Sequence, residues 1–211
     1  MTELVFILDR SGSMGGLEQD TVGGFNSMLR KQKKQPGEAL VSTVLFNNHS
    51  VVVHDRVPLE QVQPMTEEEY CVGGTTALLD AVGVAIKHIG LVHKYARPED
   101  RPEKTLFVIT TDGMENASHK YTYEKVRQMI AHEKEKHGWE FLFLGANIDA
   151  AKEARRFGIE ADRAADYHCD GVGTALNYEV IGDVVANVRA CRPVDRNWKA
   201  RIDADYQKRG K

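Results

Sequence analysis

The chain has 211 residues, of which 42% are hydrophobic and 28% charged, with a formal net charge of −3. That length suffices for one domain with a full apolar core and is too short to require division. So small a charge names no partner, and no apolar run approaches the ~20 residues that span a bilayer, which excludes a helical membrane protein.

Apolar runs alternate with helical patterns, the signature of a three-layer, doubly wound (Rossmann-like) α/β sheet with helices on both faces. Residues 4–8, Leu-Val-Phe-Ile-Leu, predict a first strand buried on both sides, as central parallel strands are. Leu17, Thr21, Phe25, Met28 and Leu29 then recur at helical spacing until Pro36-Gly37 stops the helix. The basic run 30–34 near its end is ordinary for a helix C-terminus, where cations meet the negative pole of the dipole.

Residues 39–46 and 51–57 flank Asn47-Asn48-His49-Ser50 and predict a hairpin, hence one antiparallel edge strand in a mostly parallel sheet. The stretch 58–70 carries two prolines and Glu67-Glu68-Glu69 and is expected to cross the surface. Residues 77–91 are apolar around much of a helix, which should pack deeply. Strands at 106–110, 139–144 and 164–168 alternate with helices at 123–136, 149–157 and 174–189.

From Cys191 onward seven Lys and Arg stand against three Asp, so 191–211 is a tail of +4 and −7 is left for 1–190. We expect 1–190 to form the domain and the basic tail to be solvated or docked on its own chain, with nucleic acid the less favoured partner. Three cysteines without CxxC spacing argue against a disulfide framework or a zinc site. Cys71 is expected to be a small packing residue. No signal peptide is expected before the first strand, and the expected location is cytoplasmic.

Three segments carry chemistry. Asp9-Arg10-Ser11-Gly12-Ser13 follows the first strand, Thr75 lies in Val72-Gly73-Gly74-Thr75-Thr76 at a helix start, and Asp112 ends the run Leu106 to Gly113. Asp9, Ser11, Ser13, Thr75 and Asp112 form a hard, all-oxygen donor set suited to Mg²⁺ or Mn²⁺ and ill suited to copper or zinc. Two of the segments follow buried strands, and open parallel sheets gather their ligands outside the carboxyl ends of the strands.

The order and wording of these segments resemble the metal-ion-dependent adhesion site of the von Willebrand factor type A family, with all five motif positions present. The whole chain is similar to stand-alone bacterial and phage-borne type A proteins. That resemblance implies a divalent-metal-dependent protein-binding module in which a partner Asp or Glu completes the metal's shell. It also implies that Asp9, Ser11 and Ser13 act from the first loop, Thr75 from the second and Asp112 from the third. Met14 and Glu115-Asn116 are candidates for contact with the partner.

Enzyme readings are weaker. No GxxxxGK[ST] or G-x-G-x-x-G phosphate loop follows the first strand, and no G-x-S-x-G elbow supports Ser118-His119 as a nucleophile and base. A phosphotransferase of the haloacid dehalogenase type would need a second Asp where Ser11 stands. The histidines are scattered and expected at the surface, and His168-Cys169-Asp170 reads as a strand-end turn. The alternative kept open is a metal-dependent enzyme or nucleotide-binding subunit, such as a phosphohydrolase.

Overall fold

The computed structural model describes residues 1–210. Six strands form one sheet: β1 (Thr2–Asp9), β2 (Ala39–Phe46), β3 (Ser50–Pro58), β4 (Lys104–Thr111), β5 (Glu140–Ala146) and β6 (Ala164–Tyr167). Their order is β3-β2-β1-β4-β5-β6, and only β3 runs antiparallel to its neighbour. The order reverses between β1 and β4, the point at which doubly wound sheets open a crevice.

Every residue of β1 is buried, and alternate side chains enter two separate cores. Leu4, Phe6 and Leu8 face α1 (Glu18–Lys33), α5 (Gly171–Arg189) and α6 (Ala200–Arg209) through Phe25, Met28, Tyr178, Val184 and Ile202. Phe25 sits edge-on to Phe6 at 5.2 Å and to Tyr178 at 6.1 Å. Val5 and Ile7 face α2 (Leu78–Tyr95), α3 (Tyr123–His137) and α4 (Ala150–Phe157) through Val82, Ile86, Ile130 and Phe157.

Local chemistry marks the helix ends. Thr122, Asp149 and Asp170 accept backbone N–H groups at the starts of α3, α4 and α5, and Gly138 and Gly158 end α3 and α4 in the left-handed conformation. The cap at Asp170 starts α5 at Gly171, three residues before the predicted 174. α2 likewise runs on to Tyr95, past the predicted 91.

The segment 58–70 departs from expectation. It crosses the edge as an irregular strap, yet Leu59, Val62, Met65 and Tyr70 are each 2% exposed or less. Asn26 holds it with a pair of bonds to the Met65 backbone. Cys71, expected to pack, is exposed. His93 and His54 are not surface histidines: His93 Nε2 lies 3.2 Å from the buried Glu3, and His54 bridges Thr43 and the Gln63 carbonyl.

The basic C-terminal stretch docks on the body over residues 194–209. Val194, Trp198 and Ile202 are buried in the first core, and Trp198 Nε1 donates 2.8 Å to the Asp162 carbonyl. Arg209 pairs with Asp170 and Asp205, so part of the tail's positive charge is neutralised within the chain. Among the described residues no helix is long and apolar enough to cross a membrane.

Candidate metal centre

The three sequence segments meet at the carboxyl edge of β1 and β4, because those strands are neighbours although far apart in sequence. Asp9 ends β1 and is 1% exposed; Asp112 follows β4 and is 2% exposed. The first loop turns back on itself so that Ser11 N donates 2.7 Å to Asp9 Oδ1. Thr111 Oγ1, across the strand pair, donates 2.6 Å to Asp9 Oδ2. Ser13 Oγ donates 2.7 Å to Asp112 Oδ1 and lies 3.3 Å from Ser11 Oγ.

The second loop is fastened to the first by backbone. Gly12 N donates to the Gly74 carbonyl at 3.1 Å and Gly73 N to the Arg10 carbonyl at 2.9 Å. Gly74 has a φ of +80°, in the left-handed region that side chains rarely adopt, so any other residue there would strain the loop. The second and third loops are joined by a reciprocal pair, Thr76 N to Asn116 Oδ1 and Asn116 N to the Thr76 carbonyl. Each loop is therefore bonded to the other two.

Thr75 stands in this frame, on the exposed side of the second loop, between the bonded Gly74 and the buried Thr76. Its hydroxyl makes no hydrogen bond among the described residues. The structure thus brings Asp9, Ser11, Ser13 and Asp112 into one hydrogen-bonded cluster and carries Thr75 on the loop pinned against it.

Burial raises the pKa of Asp9, with the charge of Asp112 adding to the effect, and burial raises Asp112 as well. Two desolvated carboxylates at one strand edge favour either a proton or a cation. Among the described residues no three His, Cys, Asp or Glu side chains gather as a metal cage. A metal held here would take hydroxyl and water oxygens beside the two carboxylates, a donor set that fits a hard cation.

Several residues differ from the sequence reading. Met14 is 5% exposed and belongs to the core, whereas Met114, just past Asp112, is 57% exposed. Glu115 faces inward: its carboxylate accepts the N–H groups of Leu79, Ala117 and Ser118 and the Ser118 hydroxyl. Asp80, on α2, accepts the N–H groups of His119, Lys120 and Tyr121. Glu115 and Asn116 therefore hold the third loop in place.

Two residues near the site had no signal in the sequence. The Tyr70 hydroxyl donates to the Asp9 carbonyl from beneath, and burial raises its pKa. The Cys169 thiol, on the loop after β6, lies 3.8 Å from Asp112 Oδ2. Burial and the Asp112 charge push that thiol up to about 12, so it is a protonated donor at neutral pH.

No family model matches the chain, and no curated protein matches it. Solved structures do. A von Willebrand factor type A protein from Catenulispora acidiphila superposes with a TM-score of 0.61 at 14% identity, covering 88% of this chain and 42% of its own. The pilus adhesin SpaC from Lactobacillus rhamnosus GG gives 0.66 at 10% identity, covering 89% of this chain and 31% of its own. Proximal thread matrix protein 1 from the mussel byssus, described with a zinc-occupied metal-ion-dependent adhesion motif, gives 0.58 at 12% identity, over 88% and 46%.

These likenesses establish the fold: a mostly parallel six-stranded sheet of the von Willebrand factor type A kind. The chain spans less than half the length of each of these three proteins.

Proposed function

We propose that this chain is a metal-dependent protein-binding module in which Asp9, Ser11, Ser13, Thr75 and Asp112 hold Mg²⁺ or Mn²⁺. The observation that carries the reading is the mutual bonding of three loops around two buried carboxylates, with Ser13 Oγ on Asp112 and Thr111 Oγ1 on Asp9. A bound hard cation would supply Lewis acidity toward an incoming carboxylate, and a partner Asp or Glu is the group we assign to it. Ser11, Ser13 and Thr75 contribute neutral oxygens, which leave more of the ion's charge for the partner than further carboxylates would.

The exposed Met114 offers the partner an apolar contact on the third loop. The zinc-occupied motif of the byssus protein supports divalent-metal binding on this fold. We assign no catalysis to the site. The Ser118 hydroxyl is tied to Glu115 and to the Asp80 N–H, and His119 is exposed on the same loop without a bond to it. A cytoplasmic location is supported by three unpaired cysteines.

The test is a pair of measurements on wild type and Asp9→Ala. Mg²⁺ or Mn²⁺ at 100 times the dissociation constant should stabilise wild type by about 2.7 kcal/mol in a thermal melt, and the shift should vanish in the variant. Affinity capture in Mg²⁺ against EDTA should then retain a protein through wild type alone. Equal metal-induced shifts in both proteins would overturn the assignment, and turnover of a generic phosphoester that is lost in Asp9→Asn would favour the enzyme reading.

A further inference from the structure

At the other end of the sheet, α2 and α3 leave between them a groove of about 650 Å³ that continues to the residues preceding β4 and β5. Its apolar lining includes Ile86, Leu91, Pro102, Met129 and Trp139, of which Ile86 and Trp139 are almost wholly buried. Four exposed cations stand around it: Lys87, Lys94, Arg101 and Lys125. Among the described residues none of the four has a carboxylate within salt-bridge distance, although arginines elsewhere in the chain pair readily. Glu133 is the one carboxylate lining the groove among those residues.

The outer face of α2 continues this surface. Val84 and Leu91 are 42% and 43% exposed, and Tyr95 is 76% exposed. The spacing of seven and then four residues puts them on one helical stripe, beside Lys87 and Lys94. Such a stripe favours an apolar occupant, while four cations without a carboxylate partner, of which Arg101 is held by the Ala96 and Lys94 carbonyls, favour an anionic one.

Those two demands decide among candidates. A phosphate or sugar-phosphate chain would meet the charge and leave Leu91 and Val84 uncovered. A nucleobase would need an aromatic face inside the groove, but Trp139 there is 4% exposed and its ring is stacked on Phe107 at 5.3 Å, and the exposed Tyr95 stands outside the groove on the stripe. A second copy packed about a two-fold axis would set the same lysines against one another. We propose that the groove and the α2 stripe dock an acidic segment of a protein partner, in which carboxylates alternate with apolar side chains. This site lies apart from the metal centre and does not depend on it.

The probe is a short fluorescein-labelled peptide of Glu with Leu at helical spacing, measured by fluorescence anisotropy against the full chain in EDTA. It should bind saturably, and an all-Glu peptide should bind at least about tenfold more weakly. The surface variant Lys87→Glu/Lys94→Glu should lower affinity about tenfold and Leu91→Ser severalfold, while Lys31→Glu/Lys34→Glu at the C-terminal end of α1 should leave it unchanged. No saturable binding, binding indifferent to the α2 variants, or displacement by polyphosphate at equal charge would each overturn the proposal. Binding that requires Mg²⁺ and fails in Asp9→Ala would place the peptide on the metal centre and also overturn it. Dimerisation abolished by Leu91→Ser would assign the stripe to self-association instead.

Discussion

Ser13 Oγ donates a 2.7 Å hydrogen bond to Asp112 Oδ1 across 99 residues of sequence. One group sits on an exposed turn and the other at the buried end of a strand, so the bond fixes how far the first loop reaches over the sheet edge. With Thr111 on Asp9 and Asn116 on the Thr76 backbone, it makes the site a rigid rim in which a hydroxyl can be removed without collapse.

Thr75→Ala is the substitution that uses this rigidity. The Thr75 hydroxyl has no partner among the described residues and the loop is held by Gly12, Gly73 and Asn47 instead. The melting temperature should stay within error of wild type in EDTA, while partner affinity in Mg²⁺ falls roughly tenfold to a hundredfold, the worth of one polar contact of about 1–3 kcal/mol. Surface plasmon resonance with the captured partner is the measurement, and equal affinity for both proteins in Mg²⁺ would remove Thr75 from the ligand set.

The pH dependence follows from the raised pKa values of Asp9 and Asp112. A carboxyl whose folded value exceeds its unfolded value, near 4, favours folding while protonated, and this contribution is lost as pH rises through the folded value. Metal-free wild type should therefore lose stability relative to Asp112→Asn as pH increases from about 4 toward neutrality. Metal affinity should change in the opposite sense, strengthening as the same protons leave. Parallel melts in EDTA and in Mg²⁺ across that range check both slopes.

Tyr70→Phe tests the strap beneath the site. The hydroxyl is buried and its one acceptor is the Asp9 carbonyl, so its loss leaves that carbonyl short of a partner and should cost about 1–2 kcal/mol in urea unfolding. Because the bond runs to backbone, the metal-induced shift should survive, though from a lower starting temperature.

Cysteine alkylation distinguishes the thiols. Cys71 and Cys191 are exposed, while Cys169 is half-buried with its pKa pushed up to about 12. Iodoacetamide near pH 8 should label Cys71 and Cys191 well before Cys169, since thiolate is the reactive species. Peptide mass spectrometry over a time course reads the order, and early labelling of Cys169 would mean that its contact with Asp112 does not persist in solution.

The strands of the central sheet were legible because burial on both faces writes a continuous apolar run, as in Leu-Val-Phe-Ile-Leu and Leu-Phe-Val-Ile. The edge hairpin was legible from its turn. Asp9, Ser11, Ser13 and Asp112 were legible as a group only because their segments fall at strand ends, and their convergence rests on β1 and β4 being neighbours. What the sequence hid has no period. Tyr70 and Met65 reach the core from an irregular strap bounded by prolines and glutamates, and nothing local distinguishes them from loop residues.

The same holds for Met14, whose burial is the reverse of what a turn beside a site suggests. Short 3₁₀ geometry over Gly12–Met14 folds Met14 inward. Glu115 reads as a surface acid, but its own loop turns three donors back onto it and a fourth comes from the start of α2. Cys169 meets Asp112 from the loop after β6, on the far side of the crevice, and no spacing in the sequence announces it.

The reversal of strand order between β1 and β4 has a consequence for how the protein is made. Asp9 and Thr111 are bonded across 102 residues, with β2, β3 and α2 synthesised between them. The first loop therefore leaves the ribosome long before β4 exists to complete its surroundings, and closing so long a loop is slow. On the proposed reading, a cation held by both Asp9 and Asp112 would bind only after β1 and β4 have paired. Tight retention of the ion would then certify a finished fold, and chains stalled before β4 would be unable to engage a partner through this rim.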